Sequence, residues 1–323
     1  MRKYIISVSL LLSICSFANA QTWNDEMVIA RQIVDSLKKE LKNVKGERRI
    51  DCLNLLSQTY DWIWDDNIKH LDSACMYSDQ SYELAKNSNY KRGLGYAILG
   101  KANCYSIRVN ENKNNNNSEP NYMQADKWAQ QAIQIGEEIE DYRLVGDVYN
   151  MLKRIERWKG DIKQFKNYVE KAIANYEKPV KYKLAGLLNI SHCDQCQGNE
   201  KLLAELHSLL AGAYVQENFT LAQKEFNLAI QYYNMIGDKN SLGSLFQSSG
   251  QYYFRKYDYK NAIESYFKSK ESYHLSGNIE MELAEMNELC KAYEVTDDFE
   301  NGIAMSKQSI NMAEDFLPSN IIL

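Results

Sequence analysis

Proline is scarce in this sequence, with three residues among 323. Alternating runs rich in Val, Ile and Thr, which predict strands, are also hard to find. Turns must therefore be set by Gly, Asn and Asp, because these residues accept turn conformations readily. Hydrophobic residues still make up 45% of the chain, which is enough for a sizeable core. The sequence therefore predicts an all-α protein.

Sequence motifs of common enzymes are absent as well. The chain has no H-E-x-x-H, no G-x-S-x-G, no phosphate-binding loop and no glycine-rich dinucleotide turn. The four histidines, His70, His192, His207 and His274, are scattered. Carboxylates are spread along predicted helices, where a solvated surface is the default interpretation. We therefore predict that the chain is not an enzyme and binds no cofactor and no metal.

The sequence also lacks a cluster of positive charge. Its formal net charge is −5, whereas a protein that binds a phosphate backbone is expected to be basic along one face. Nucleic-acid binding is therefore not predicted. No run of about 18 apolar residues follows the N-terminal segment, so no stable membrane insertion is expected.

Residues 1–20 have the pattern of a secretory signal peptide. A short charged start precedes an apolar run over residues 5–14, and small residues at Ala18 and Ala20 fit the cleavage rule. Cleavage after Ala20 predicts a periplasmic or secreted protein. Lipidation at Cys15 is one alternative, although an isoleucine stands before it where a small residue is wanted. An uncleaved anchor is the other.

A spacing of 40 residues recurs in the C-terminal half of the chain. The sets that follow it are Phe219, Tyr259 and Phe299; Ala222, Ala262 and Gly302; and Ala229, Ser269 and Ser309. A single helical hairpin cannot bury its apolar face alone, so hairpins stack on one another, with small residues where the helix axes approach. We predict close approaches at Gly250 and Ala262, with Tyr253 and Tyr266 filling the gaps beside them.

The stretch from Leu242 to Ser276 resembles the tetratricopeptide repeat (TPR), whose signature is W-x2-L-G-x2-Y…A-x3-F. The matching residues are Phe246, Ser249, Gly250 and Tyr253 in the first helix and Tyr259, Ala262, Tyr266 and Ser269 in the second. The period exceeds the usual length of about 34 residues, so the chain is similar to the long-period exported bacterial type. Two features depart from the signature: the tryptophan position holds Phe246 or Met286, and the closing proline is missing. The resemblance implies a right-handed α-solenoid of stacked antiparallel helical hairpins.

The repeat spacing divides the chain into segments. They are a signal peptide (1–20), an N-terminal helix (21–47), repeats one to three (48–179), a period-breaking segment (180–199), repeats four to six (200–317) and a tail (318–323). An Asn-rich insert at 110–121 is predicted to be a disordered loop, with a specific binding loop as the alternative. The last repeat lacks a clear polar cap, so an oligomer could form through it.

Six cysteines follow the signal segment, an even number that permits disulfides in an exported protein. Cys193 and Cys196 form a C-x-x-C pair, which we interpret as a structural disulfide or inert thiols. A labile redox pair and a metal site are the alternatives. Cys52 and Cys75 lie on partner helices of repeat one and are a second candidate pair. Cys290 occupies a small repeat position and is expected to be a core thiol.

In the TPR family, the first helix of each repeat lines a concave groove that holds a protein or peptide. The resemblance implies the same role for the open side of the matching helices here. The residues are Asn54, Gln58 and Asp61; Lys101 and Tyr105; Asn150, Arg154 and Arg157; Gln247, Gln251, Phe254 and Arg255; and Asn287, Lys291 and Glu294. Amide side chains can bond a peptide backbone. Arg154, Arg157 and Arg255 can each hold a carboxylate in a bidentate pair.

These features predict an exported TPR scaffold that binds a protein or peptide without catalysis. The alternative is a sensory module of a bacterial signal-transduction protein, in which a membrane helix and an output domain follow the repeats. An enzyme that uses Cys193 and Cys196 is the third hypothesis, and a thiol–disulfide exchange assay would test it.

Overall fold

The computed structural model of the protein describes residues 27–62, 68–111, 119–179 and 199–316. Within these ranges every regular element is an α-helix, and the first, α1, covers residues 27–41. The others are α2 (Gly46–Trp62), α3 (Ile68–Lys86), α4 (Lys91–Glu111), α5 (Glu119–Glu138), α6 (Tyr142–Lys159), α7 (Ile162–Tyr176), α8 (Glu200–Tyr214), α9 (Phe219–Ile236), α10 (Lys239–Arg255), α11 (Tyr259–Ser276), α12 (Ile279–Val295) and α13 (Phe299–Phe316). The predicted all-α class is confirmed for the described residues.

Several sequence predictions lie outside the described residues. These are the signal peptide at 1–20, the Cys193/Cys196 pair and the tail at 318–323. At the Asn-rich insert, α4 continues to Glu111 and α5 begins at Glu119, so both helices extend into the ends of the segment that we predicted to be a loop. None of the described helices is long and apolar enough to cross a membrane.

The chain divides into two compact units, which we call the first unit (Asn24–Ala213) and the second unit (Tyr214–Leu323). In the first unit, α2 packs with α3, α4 with α5, and α6 with α7. The first helices of these pairs also touch in sequence, α2 against α4 and α4 against α6. The three pairs are therefore stacked, and their first helices form one layer. Leu99, Ala129 and Leu144 lie in the hydrophobic core of this stack.

The second unit repeats the same arrangement. Helix α10 packs with α11, and α12 packs with α13, while α11 also contacts α12. A Cβ atom placed on Gly250 would lie 2.5 Å from the ring of Tyr266, and one on Gly243 would lie 2.8 Å from the ring of Tyr273. Both tyrosines are almost fully buried. The predicted close approach at Gly250, with Tyr266 beside it, is thus confirmed.

Asn and Asp begin many of the helices, and Gly ends several, as the shortage of proline predicts. The capping side chains that accept a backbone N–H are Asp141, Asp161, Asn218, Asp238, Asp258 and Asn278. Such caps satisfy amide groups that have no partner inside the helix. Gly160, Gly237 and Gly277 follow α6, α9 and α11 with positive φ angles, a conformation that costs glycine little.

The structure corrects one cysteine prediction. Cys75 of α3 forms a disulfide with Cys104 of α4, with 5.6 Å between the Cα atoms. Cys52 is a buried free thiol, and burial raises its pKa to about 11. The predicted pairing of Cys52 with Cys75 is therefore wrong. The reason is that α3 packs against both α2 and α4, and each of those helices carries a cysteine.

Candidate functional site

A single arginine spans the layer of first helices in the first unit. Nη2 of Arg154, on α6, donates to Oδ1 of Asn103 at 3.0 Å and to Oγ of Ser106 at 3.3 Å, both on α4. Its Nη1 lies 3.5 Å from Oδ2 of Asp61 on α2. We call these four residues the Arg154 cluster. Because the cluster draws on α2, α4 and α6, it lies on a surface that the three helices share.

The Arg154 cluster has unused hydrogen-bonding capacity. Among the described residues, neither Nε of Arg154 nor Oδ1 of Asp61 has a hydrogen-bond partner, although both atoms are buried. Buried polar atoms without partners are costly and uncommon in folded proteins. The two atoms are a donor and an acceptor, so together they match the carbonyl and N–H groups of a peptide. The ring of Trp158 lies 5.9 Å from the guanidinium and adds an aromatic surface beside it.

Two more cations lie near Arg154 on α6. The pKa of Lys153 is lowered to about 8, mainly by burial and also by the positive charges of Arg154 and Arg157, against the opposing effect of Glu205 on α8. Arg157 is exposed to solvent. Asp61 and Glu205 offset part of the repulsion among these three cations, and a bound carboxylate would relieve the rest. The electrostatics of this part of α6 therefore favour an acidic ligand.

Some of the residues that we predicted to line the groove make contacts inside the fold. Asn54 is buried, and its Nδ2 donates to the backbone oxygen of Gly93 at 2.9 Å while its Oδ1 accepts from Oγ of Ser81 at 2.6 Å. Both ends of this amide are therefore used to join α2, α3 and α4. Gln58 is partly exposed one turn further along α2. A role of Asn54 in binding stays a prediction, and its amide already bonds within the fold.

Lys101 also departs from the predicted surface. It forms an ion pair with Asp79 of α3, and its ammonium lies 5.2 Å from the ring centre of Tyr82 and 5.4 Å from that of Trp128. These partners belong to α3 and α5, the second helices of their pairs, so Lys101 does not face the Arg154 cluster. Tyr105 is partly buried against the first-unit core.

In the second unit, one polar contact joins the first helices α10 and α12. Nε2 of Gln247 donates to Oε1 of Glu285, a carboxyl with no exposed surface. The pKa of Glu285 is raised to about 8, mainly by burial and also by the nearby Glu288, while hydrogen bonds from Gln247 and Ser269 oppose the shift. The carboxyl is therefore largely neutral at pH 7. It joins two helices and offers no charge to a ligand.

The remaining predicted residues of the second unit do not form a comparable cluster. Phe254 packs edge-on to Tyr259, with ring centres 5.3 Å apart, and belongs to the border of the hydrophobic core. Lys291 forms an ion pair with Glu288 of its own helix at 2.6 Å. The other predicted residues are exposed or partly exposed: Gln251, Arg255, Asn287 and Glu294. In the first unit, Asn150 is partly exposed on α6.

Of the four residues of the Arg154 cluster, the sequence analysis named Asp61 and Arg154 as candidates and did not name Asn103 and Ser106. These two residues are three apart on α4, a spacing that puts two polar side chains on one helical face. This spacing of Asn103 and Ser106 was the sequence signal that could have identified them. Among the described residues, no group of three or more His, Cys, Asp or Glu side chains could hold a metal ion.

Two solved structures have the same fold. One is a Rap protein complexed with competence and sporulation factor, with a TM-score of 0.51, 14% identity, and coverage of 87% of this chain and 70% of that one. The other is aspartyl phosphate phosphatase F from Bacillus subtilis, with a TM-score of 0.52, 14% identity, and coverage of 95% and 75%. No protein-family model and no curated protein matches the sequence. The chain thus has a TPR-like helical-repeat fold, with helix pairs stacked on adjacent pairs.

Proposed function

We propose that this chain is a scaffold that binds a segment of protein or peptide on the first-helix layer of its first unit, without catalysis. The observation that carries the proposal is the Arg154 cluster, in which a buried donor and a buried acceptor lack partners at a surface shared by three helices. Because both atoms are buried, a ligand must open the Arg154 cluster before its carbonyl can accept from Nε of Arg154 and its N–H can donate to Oδ1 of Asp61.

The charge near the cluster specifies the ligand further. Lys153, Arg154 and Arg157 favour a segment with an Asp or Glu side chain, or a free C-terminal carboxylate, because Arg forms strong bidentate bonds with carboxylates. A Rap protein of the same fold was crystallised with the competence and sporulation factor, so proteins of this fold can hold a partner. We also propose that the chain acts in the periplasm or outside the cell, since residues 1–20 have the pattern of a signal peptide.

The proposal can be tested with a panel of labelled peptides about ten residues long, each made in an acidic version and in a version with Asn and Gln in place of Asp and Glu. Binding is measured by fluorescence anisotropy to the chain from Gln21. We expect a subset of acidic peptides to bind and the amide versions to bind more weakly. Arg154→Met should weaken binding about tenfold or more, in line with the loss of charged hydrogen bonds.

Lys163→Met is the matched control, because it removes one cation from an exposed site on α7, the second helix of the same pair. Circular dichroism of both variants establishes that they fold. If Arg154→Met and Lys163→Met bind the peptides equally well, or if no peptide in the panel binds, the Arg154 cluster is not the binding site.

A further inference from the structure

The last described helix, α13, has an apolar stripe on its solvent-facing side. Phe299, Ile303 and Ile310 are 58%, 57% and 46% exposed. Their spacings of four and seven residues put them on one helical face. The opposite face of α13 carries the buried residues Met305 and Ser309. Contiguous apolar side chains at a protein surface commonly mark an interaction site.

The corresponding face of α11 is covered by another helix. Ile263 occupies the position of Ile303 in the 40-residue spacing, and it packs against the cluster that contains Leu283 and Met286 of α12. On α13, in contrast, Phe299, Ile303 and Ile310 are about half exposed. Ile303 therefore repeats a residue that joins α11 to α12, whereas Ile310 stands at the position of Lys270.

A cleft of about 240 Å³ runs along this stripe between α12 and α13. Its lining includes Cys290 of α12 and Gly302, Ile303 and Ile310 of α13. An apolar side chain from another helix can enter such a space as a knob enters a hole.

The sequence of α13 is complementary to itself. Phe299, Ile303, Ser306 and Ile310 follow the four-three-four spacing of a helix-pairing seam, and Glu300 and Lys307 lie beside that seam. In two antiparallel copies with Phe299 opposite Ile310, Glu300 of each copy falls within one turn of Lys307 of the other. The two-fold symmetry therefore produces two equivalent pairs of Glu300 with Lys307. A two-fold axis through the seam thus matches both apolar and charged residues.

We propose that α13 is a self-association surface, on which two copies of this chain pack their last helices antiparallel about a two-fold axis. The arrangement is isologous, because the same patch serves both partners, and it closes after two copies. It does not involve the Arg154 cluster of the first unit, so it stands or falls separately from the proposed peptide binding.

Sedimentation-velocity ultracentrifugation over a concentration series tests the proposal, with the chain from Gln21 to Leu323. We expect a reversible monomer–dimer equilibrium. Ile303→Glu should raise the dissociation constant about tenfold or more, because it places a charge in the apolar seam. Leu275→Glu is the matched control, since Leu275 is an exposed apolar residue on α11 outside the stripe, and it should leave the equilibrium unchanged.

Charge reversal distinguishes the antiparallel dimer from other arrangements. Glu300→Lys and Lys307→Glu should each weaken the dimer, because each places like charges together across the axis. The double variant should restore most of the affinity, since both cross-axis pairs return with reversed sign. Circular dichroism controls for folding.

Three results would overturn the proposal. The first is a chain that stays monomeric at every concentration. The second is a dimer that Ile303→Glu leaves intact. The third is a double charge variant as weak as the single ones. A chain ending at Phe316 identifies one competing occupant: if it dimerises where the complete chain does not, residues 317–323 cover the stripe instead of a second copy.

Discussion

The two units join their neighbouring helix pairs with different chemistry. In the first unit, charged side chains make the joints: Nε of Arg92 on α4 donates to Oδ2 of Asp141 at 2.9 Å, and Arg154 reaches from α6 to α4 and α2. In the second unit, Gln247 of α10 donates to the buried and largely neutral Glu285 of α12. The same stacked architecture can therefore be joined by arginine–carboxylate pairs or by a neutral carboxyl. Packing of tyrosine rings on glycines occurs inside the helix pairs of both units.

The largest expected effect comes from breaking an ion-pair joint of the first unit. Asp141 is 3% exposed, caps α6 and pairs with Arg92. Asp141→Ala removes the cap and leaves a guanidinium buried without its partner, so we expect a loss of about 3–5 kcal/mol in the free energy of unfolding. Urea denaturation, monitored by circular dichroism, measures this change in the free energy of unfolding.

Asp161 provides the control for Asp141, because it caps α7 from an exposed position. Asp161→Ala should cost only about 1 kcal/mol, the usual value for a lost cap. Equal losses in the two variants would show that the ion pair with Arg92 contributes nothing beyond the cap.

The second expected effect concerns pH and the neutral joint of the second unit. The folded pKa of Glu285 is about 8, whereas its ordinary value is 4.5. Its contribution to stability is therefore fully present below pH 4.5 and declines as the pH rises towards 8, because the unfolded carboxyl ionises first. Glu285→Gln should abolish this decline and stabilise the chain by about 2–4 kcal/mol at pH 8.

Thermal unfolding at a series of pH values measures the effect of Glu285→Gln. Glu294→Gln removes the same charge from an exposed site on α12 and serves as the control. Parallel pH profiles for wild type and Glu285→Gln would mean that Glu285 is ionised in the folded protein.

The third expected effect contrasts glycines of the two units. Gly250→Ala would bring a methyl group to 2.5 Å from the ring of the buried Tyr266, which has no room to move. We expect a loss of about 1–3 kcal/mol, in spite of the better helix propensity of alanine. Gly212 lies on the exposed side of α8, and nothing lies within 4 Å of the Cβ that alanine would add.

Gly212→Ala should therefore stabilise the chain by about 0.5–1 kcal/mol. Chemical denaturation of both glycine variants measures whether each substitution lowers or raises the free energy of unfolding. A gain in stability for Gly250→Ala would show that the second unit is less tightly packed than the contact between Gly250 and Tyr266 indicates.

Helical spacing made the packing of Gly250 against Tyr266 predictable from the sequence, because residues on one helical face keep their neighbours through successive repeats. The capping roles of Asn, Asp and Gly were predictable for a similar reason, since their local chemistry does not depend on distant contacts. The fold class followed from these two regularities.

The proposed binding surface was less predictable. Asn54 and Gln58 are one turn apart on α2, yet the first is buried in the joint with α4 and the second is partly exposed. Which side chain faces the next helix depends on how the two helices cross, and spacing along the chain does not specify that. Arg154 and its partner Asn103 are likewise 51 residues apart in the sequence, so helix spacing does not predict their contact. The disulfide partner of Cys75 depended on which of two neighbouring helices its thiol faces.

The disulfide between Cys75 and Cys104 has a consequence for how the first unit unfolds. Repeat proteins commonly lose structure from an end, because each repeat contacts only its neighbours. Here a covalent bond links the α2/α3 pair to the α4/α5 pair. When the outer pair opens, its helices stay tethered near their partners, so re-closure is faster than diffusion of a free end would allow. We therefore expect the oxidised α2/α3 and α4/α5 pairs to unfold together, as one cooperative block.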